Sequence, residues 1–152
     1  PIYGPERMGA PVKSFNRISE KEIHVHSQVT NPEIVAVLDE TLLEAVDVTE
    51  GLVGEKIVIV NTTRTPGEIR EQIGLDGGQV LTVDATGISI EKIGRNLPNT
   101  PLIGALVKAS GLIKLESLIE SFKHEFGKKF SEKIIDGNIE AMKAAHEGVQ
   151  TE

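Results

Sequence analysis

The sequence predicts an α/β fold in which helices flank a mostly parallel sheet, with a β-hairpin before it and a helical C-terminal third after it. Three short runs are almost continuously apolar and rich in β-branched residues, namely residues 33–38, 56–60 and 79–83. That pattern is typical of parallel strands buried on both faces. Helical segments separate the runs, and a strand–helix–strand alternation favours right-handed crossovers in one α/β sheet.

Length and composition restrict the function classes. A chain of 152 residues is expected to form a single domain, here 1–152. The absence of Cys excludes a disulfide scaffold, a thiolate-held zinc ion or iron–sulfur cluster, and a Cys nucleophile. A net charge of −7 with no basic block argues against nucleic-acid binding. No apolar run approaches the ~20 residues of a membrane helix, and no signal peptide is visible, so we expect a cytoplasmic protein without a membrane partner.

The N-terminal elements are a turn-rich loop and a hairpin. Residues 1–12 contain three Pro and two Gly, which excludes a helix. Residues 14–19 and 23–27 alternate weakly around the polar turn 19–22, which predicts two short paired strands. The second strand would place His24 and His26 on one face, a pair that needs a third ligand to hold a metal. The sequence positions no such ligand, so we assign no metal site.

Two crossover helices are predicted between the strands. The first covers roughly residues 40–48. The second covers residues 66–73, where Thr65 is a candidate N-cap, Pro66 suits the first turn and Glu68 completes a capping box. Gly74 is expected to end this helix, and the glycine-rich residues 74–78 then form a turn into the third strand.

The C-terminal third is predicted to be helical. Thr100 is a candidate N-cap before Pro101, and the helix that follows contains small residues, including Gly104, that allow close packing. Apolar residues at helical spacing then run along residues 115–126. Ser131 is a candidate cap for a last helix, and the tail from Gly148 is expected to fray.

Polar residues follow each predicted strand. Asp39 follows the first, residues 61–64 the second and residues 84–86 the third. Ligands of open α/β sheets bind beyond the carboxyl ends of the strands, which predicts a small-molecule or partner site along this edge. Alternatively, Asp39, Thr65 and either Asp84 or Thr86 are helix caps. No phosphate-binding glycine loop, nucleophile elbow or metalloprotease motif is present, so we assign no catalytic residue.

Residues 3–11 (YGPERMGAP) form the most distinctive loop, because two Gly and two Pro constrain the backbone around Glu6 and Arg7. Loops this constrained often carry function or form interfaces, although an exposed turn with a local ion pair is the alternative. This loop and residues 12–18 resemble the gamma subunit of the 2-oxoacid:ferredoxin oxidoreductases, most closely the pyruvate type. Further segments resemble the same family in the same order, at residues 27–29, 31–33, 37–43, 60–62, 83–86, 98–106 and 126–130.

The resemblance implies a Rossmann-like subunit of a multi-subunit enzyme that oxidatively decarboxylates a 2-oxoacid to acyl-CoA and passes electrons to ferredoxin. It implies thiamine diphosphate, magnesium, coenzyme A and iron–sulfur clusters in or with alpha, beta and delta-type subunits, and none bound by this chain alone. The isolated chain is then expected to be inactive. The alternatives are a stand-alone CoA- or nucleotide-binding module, a purely structural subunit, or a subunit of a 2-ketoisovalerate or 2-oxoglutarate enzyme.

The resemblance also suggests which residues contact the cofactor. Members of the family begin with a strand, a glycine-rich loop and a helix, and we expect all three to be missing here. We expect an intersubunit active-site mouth formed by Tyr3, Gly4, Glu6 and Arg7. A guanidinium such as that of Arg7 is suited to binding a phosphate or carboxylate. Asn99 and Thr100 are a second candidate pair, because a helix N-terminus favours anions.

Overall fold

The computed structural model describes residues 10–152, which contain a four-stranded sheet. Its strands are β1 (Ile34–Val37), β2 (Ile57–Asn61), β3 (Gln79–Val83) and β4 (Gln150–Thr151), in the order β1-β2-β3-β4. The first three are parallel and β4 is antiparallel to β3. The predicted mostly parallel α/β sheet is therefore confirmed, and each of the three apolar runs forms a strand.

The sheet is covered on both faces, as its continuous apolar strands require. One face packs Ile57 and Ile59 of β2 against a cluster that includes Leu102 and Ala105. The other packs Val58 and Val60 against a cluster that includes Ile69. All five residues of β2 are buried, so this strand is the centre of the core.

Six helices accompany the sheet within the described part of the chain: α1 (Leu42–Ala45), α2 (Pro66–Ile73), α3 (Ala85–Ile93), α4 (Asn99–Ser110), α5 (Leu115–Phe126) and α6 (Glu132–Glu147). Helix α2 has the predicted bounds and capping box, because Glu68 N donates to Thr65 Oγ1 and the Glu68 carboxylate accepts from Thr65 N. Helix α1 is shorter than the predicted 40–48. Beyond it, the Asp47 side chain accepts from Thr49 N at 2.9 Å, a local turn that competes with helix.

Helices α4 and α6 cross at Gly104, where a Cβ would overlap the carbonyl of Met142. This confirms that small residues in α4 permit close packing. The prediction that Thr100 caps α4 is wrong, because the helix begins at Asn99, two residues before the predicted start at Pro101. Pro98 occupies the N-cap position with φ −69° and ψ −12°, and its carbonyl already accepts from Leu102 N at 2.9 Å. Ser131 does occupy the N-cap position of α6, but its side chain makes no capping hydrogen bond.

The predicted N-terminal hairpin is not formed, because no strand precedes Ile34 between residues 10 and 33. The two segments are instead joined through one side chain. The Arg17 guanidinium donates to the carbonyl oxygens of Val25 at 3.2 Å, Ser27 at 2.5 Å and Gln28 at 3.1 Å. A guanidinium presents a rigid fork of N–H donors, so it holds the segments together without a backbone ladder.

The C-terminal tail does not fray as predicted, since β4 pairs Thr82 with Gln150 at the edge of the sheet. Arg70 secures this edge by donating through both Nε and Nη2 to the carboxylate of Glu152. The same guanidinium donates to three carbonyl oxygens of the α2–β3 turn, which are those of Leu75, Gly77 and Gly78. Residues 74–78 are therefore the structural turn that the sequence predicts.

Candidate functional site

The candidate site is the sheet edge at which β1, β2 and β3 end. Asn61, the last residue of β2, is buried there and uses both ends of its side chain. Its Nδ2 donates to the Leu38 carbonyl at 2.8 Å and to Thr86 Oγ1 at 2.9 Å, and its Oδ1 accepts from Thr86 N at 3.1 Å. One amide thus joins the end of β1 to the first turn of α3.

A second hydrogen-bonded unit lies beside Asn61. The buried hydroxyl of Thr62 donates to the carboxylate of Glu40 and accepts from Arg64 N at 3.1 Å. Thr62 N also donates to the Val83 carbonyl at 3.0 Å, which ties this unit to the end of β3. The backbone that borders the edge is therefore held in one arrangement before any ligand or partner arrives.

The two aspartates of the edge have structural roles. Asp84 caps α3, with Oδ1 accepting from Gly87 N at 2.7 Å, so its interpretation as a helix cap is confirmed. Asp39 instead holds the turn into α1, where it accepts from both the backbone N and the hydroxyl of Thr41. These hydrogen bonds, led by that from the hydroxyl, lower the pKa of Asp39, so its side chain is a carboxylate at neutral pH.

This edge presents hydroxyl, amide and carboxylate groups, which are suited to hydrogen bonding with a ligand or partner. The Thr62 hydroxyl already donates to the carboxylate of Glu40. Among residues 10–152, no group of three His, Asp or Glu side chains is placed to hold a metal ion. The imidazole of His24 lies 3.9 Å from the carboxylate of Glu22, and both side chains are exposed.

The edge brings together only part of the set of residues singled out from the sequence. Asn61 at the end of β2 and Thr86 after β3 meet through hydrogen bonds, and Thr62 lies beside Asn61 in the chain, as their positions suggested. Glu40 was not among the residues predicted to lie at this edge. The one feature of the sequence that could have indicated it is its position directly after Asp39, just beyond β1.

Asn99 and Thr100 lie in the first turn of α4, and among the described residues no hydrogen bond joins them to Asn61 or Thr62. The four remaining predicted site residues, Tyr3, Gly4, Glu6 and Arg7, lie outside the described residues.

Comparison with known proteins identifies the family. The model of the family described as pyruvate ferredoxin/flavodoxin oxidoreductase matches residues 1–148. The pyruvate synthase subunit PorC of Thermotoga maritima is 43% identical over 150 residues, which cover 99% of this chain and 77% of that protein. The common subunit gamma of the pyruvate/ketoisovalerate oxidoreductases of Pyrococcus furiosus is 44% identical over 147 residues, covering 97% of this chain and 77% of that protein.

A solved structure agrees with the sequence relatives. The crystal structure of the pyruvate oxidoreductase subunit PORC from Thermotoga maritima superposes with a TM-score of 0.72 at 38% identity, covering 81% of this chain and 66% of that one. This chain therefore spans about three quarters of the length of the curated relatives and about two thirds of the solved chain. Because the family model covers almost every residue and the relatives are similar along most of their length, the chain belongs to the pyruvate ferredoxin/flavodoxin oxidoreductase family.

Proposed function

We propose that this chain is the gamma subunit of a multi-subunit pyruvate:ferredoxin oxidoreductase, also called pyruvate synthase. The enzyme converts pyruvate and coenzyme A to acetyl-CoA and carbon dioxide, and passes the electrons to ferredoxin in the cytoplasm. The observation that carries this proposal is the similarity to a pyruvate synthase subunit along 99% of the chain. The superposition on a solved pyruvate oxidoreductase subunit, with a TM-score of 0.72, supports it.

In this proposal the chain contributes binding surfaces, and other subunits carry the redox chemistry. The sequence contains no Cys, so the chain has no thiolate with which to ligate an iron–sulfur cluster. We assign thiamine diphosphate, magnesium and the clusters to alpha, beta and delta-type subunits, and coenzyme A to a site formed with them. The isolated chain then has no activity on pyruvate.

We propose two places where this chain contacts the coenzyme A or its phosphates. One is the loop of Tyr3, Gly4, Glu6 and Arg7, in which the Arg7 guanidinium would bind a phosphate or carboxylate. The other is the N-terminus of α4 at Asn99 and Thr100, where no side chain caps the helix. Free N–H groups at the start of a twelve-residue helix favour an anion.

Arg7→Ala, introduced into the complex reconstituted with the other subunits, tests the assigned site. We expect a lower rate of CoA-dependent ferredoxin reduction with unchanged subunit composition, because a charge-assisted contact is lost. Lys21→Ala is the matched control, since it removes one exposed cation elsewhere in the N-terminal region. An unchanged rate in the assembled Arg7→Ala complex would reject the site. Failure of the wild-type chain to join those subunits would reject the function.

A second substrate is favoured by a specific finding, because several relatives are named as gamma subunits common to pyruvate and ketoisovalerate oxidoreductases. In this version the same chain joins two enzymes that differ in the subunits carrying the substrate pocket. Co-purification of this chain with both sets of subunits, each active on its own 2-oxoacid, would support the shared role. Recovery with the pyruvate enzyme alone would restrict it to pyruvate.

The stand-alone alternative, a CoA- or nucleotide-binding module, is favoured by the polar edge around Asn61 and Thr62. It predicts micromolar binding of coenzyme A by the isolated chain in calorimetry. The subunit proposal predicts no binding heat until the partner subunits are added, so one titration with and without them separates the two functions.

A further inference from the structure

Three of the four phenylalanines in the chain meet where α5 turns into α6. The rings of Phe122 and Phe126 lie 4.9 Å apart between centroids, and those of Phe126 and Phe130 lie 5.9 Å apart. We call the surface formed by these three rings the aromatic corner. Ile134, in the first turn of α6, is the next exposed apolar residue along the chain.

The aromatic corner packs against helix α6 on one side and is exposed to solvent on the other. Phe122 and Phe126 pack against buried residues of α6, including Ile139 and Met142. Beyond them, Phe130 is 49% exposed and Ile134 is 45% exposed, and helix α5 contains no buried residue. Single exposed apolar residues are common on protein surfaces, but contiguous apolar patches mark interaction sites. Aromatic side chains are also enriched among the residues that dominate binding energy at interfaces.

The charges around the aromatic corner indicate what kind of surface covers it. Lys129 is already engaged, since its ammonium lies 2.5 Å from the Glu125 carboxylate and 5.4 Å from the Phe126 ring centroid. Lys128 and Lys133 are exposed, and neither has an ion-pair partner among residues 10–152. The segment 127–134 contains three Lys and one Glu, whereas the whole chain has a net charge of −7. Residues 125–134 contain three Lys and two Glu, so with Lys129 paired to Glu125 the border of the corner keeps a small net positive charge, carried by Lys128 and Lys133.

We infer that the aromatic corner docks another subunit of the oxidoreductase, one that presents an apolar cleft bordered by Asp or Glu carboxylates. The inference rests on the proposed function for the existence of that subunit. A twofold dimer through the same surface is disfavoured, because it would bring Lys128 and Lys133 of the two copies together. The corner contributes buried aromatic area, and the two lysines contribute attraction and orientation at its border.

The test measures binding between this chain and the co-expressed remaining subunits. Phe130→Glu removes the most exposed ring and introduces the charge that an acidic border repels. We expect at least about 30-fold weaker association, the loss that is typical of a central interface residue. Ile90→Glu is the matched control, because Ile90 is 54% exposed on α3 and the same change there should leave association within about twofold of wild type.

Two further variants complete the test. Ile134→Glu decides the outcome if Phe130→Glu shifts the thermal unfolding midpoint, since Phe130 also supports Phe126. The double variant Lys128→Glu and Lys133→Glu should weaken association about tenfold at low salt, and the difference should shrink above about 0.5 M salt because charges are then screened.

Each outcome bears on the inference. Wild-type affinity in a folded Phe130→Glu or Ile134→Glu complex would overturn it. Loss of self-association of the free chain in these variants, with unchanged binding to the other subunits, would assign the corner to a second copy and also overturn it. If the wild-type chain binds none of the subunits, the proposed function itself fails.

Discussion

Replacing Asn61 by Ala tests whether the carboxyl edge of the sheet is held by one buried side chain. The wild-type amide makes three hydrogen bonds, to the Leu38 carbonyl and to the hydroxyl and backbone N of Thr86. Each bond contributes about 1 kcal/mol net, and the substitution removes all three from the buried Asn61 and the half-buried Thr86. We therefore expect the free energy of unfolding to fall by about 3 kcal/mol.

Urea unfolding followed by circular dichroism measures this loss as a shift in the midpoint at constant slope. Thr63→Ala is the control, because Thr63 is exposed, has no side-chain hydrogen bond among the described residues, and should change stability by less than about 0.5 kcal/mol. A loss below about 1 kcal/mol for Asn61→Ala would show that the amide does not hold the edge, because water would then replace its hydrogen bonds at little cost.

Three further predictions concern packing and charge. Gly104→Ala should lower the free energy of unfolding by about 1–3 kcal/mol, because the added Cβ overlaps the backbone of α6. Gly67→Ala is its control: no atom lies within 4 Å of the added Cβ, so this change should raise the free energy of unfolding by about 0.5–1 kcal/mol in the same urea assay. Thr82→Val should raise the thermal midpoint, corresponding to about 1 kcal/mol, because the buried Thr82 hydroxyl has no hydrogen-bond partner in the described structure. Hydrogen bonding from Arg70 lowers the pKa of Glu152 below its ordinary 4.5, so the ionised carboxylate stabilises the folded chain. Glu152→Gln should therefore reduce the thermal midpoint by its full amount above pH 4.5, and the difference from wild type should vanish as the pH falls through the lowered pKa. Thermal melts at a series of pH values measure this difference.

The elements specified by nearby residues could be predicted from sequence. Helix α2 has the predicted bounds because Thr65, Pro66, Glu68 and Gly74 are all local signals. The three parallel strands could be located because their burial on both faces leaves continuous apolar runs. The close approach of α4 to another element followed from Gly104.

The errors arise where distant parts of the chain decide the outcome. The tail forms β4 because Arg70 binds a carboxylate 82 residues away, which no local pattern reveals. The hairpin failed because Arg17 bonds to carbonyls eight to eleven residues away and replaces the expected backbone pairing. At the site, the polar residues at the strand ends were evident, but the partners of Asn61 lie 23 and 25 residues away. The roles of Tyr3, Gly4, Glu6, Arg7, Asn99 and Thr100 remain predictions.

The central claim is that this chain is a required subunit of a 2-oxoacid oxidoreductase. Its most direct test is the rate of pyruvate- and CoA-dependent ferredoxin reduction by the remaining subunits, measured while the chain is added back in increasing amounts. We expect little activity without the chain and a rate that rises to a plateau as it is added. Full activity of the remaining subunits without the chain, or turnover of pyruvate by the chain alone, would show that the chain is not such a subunit.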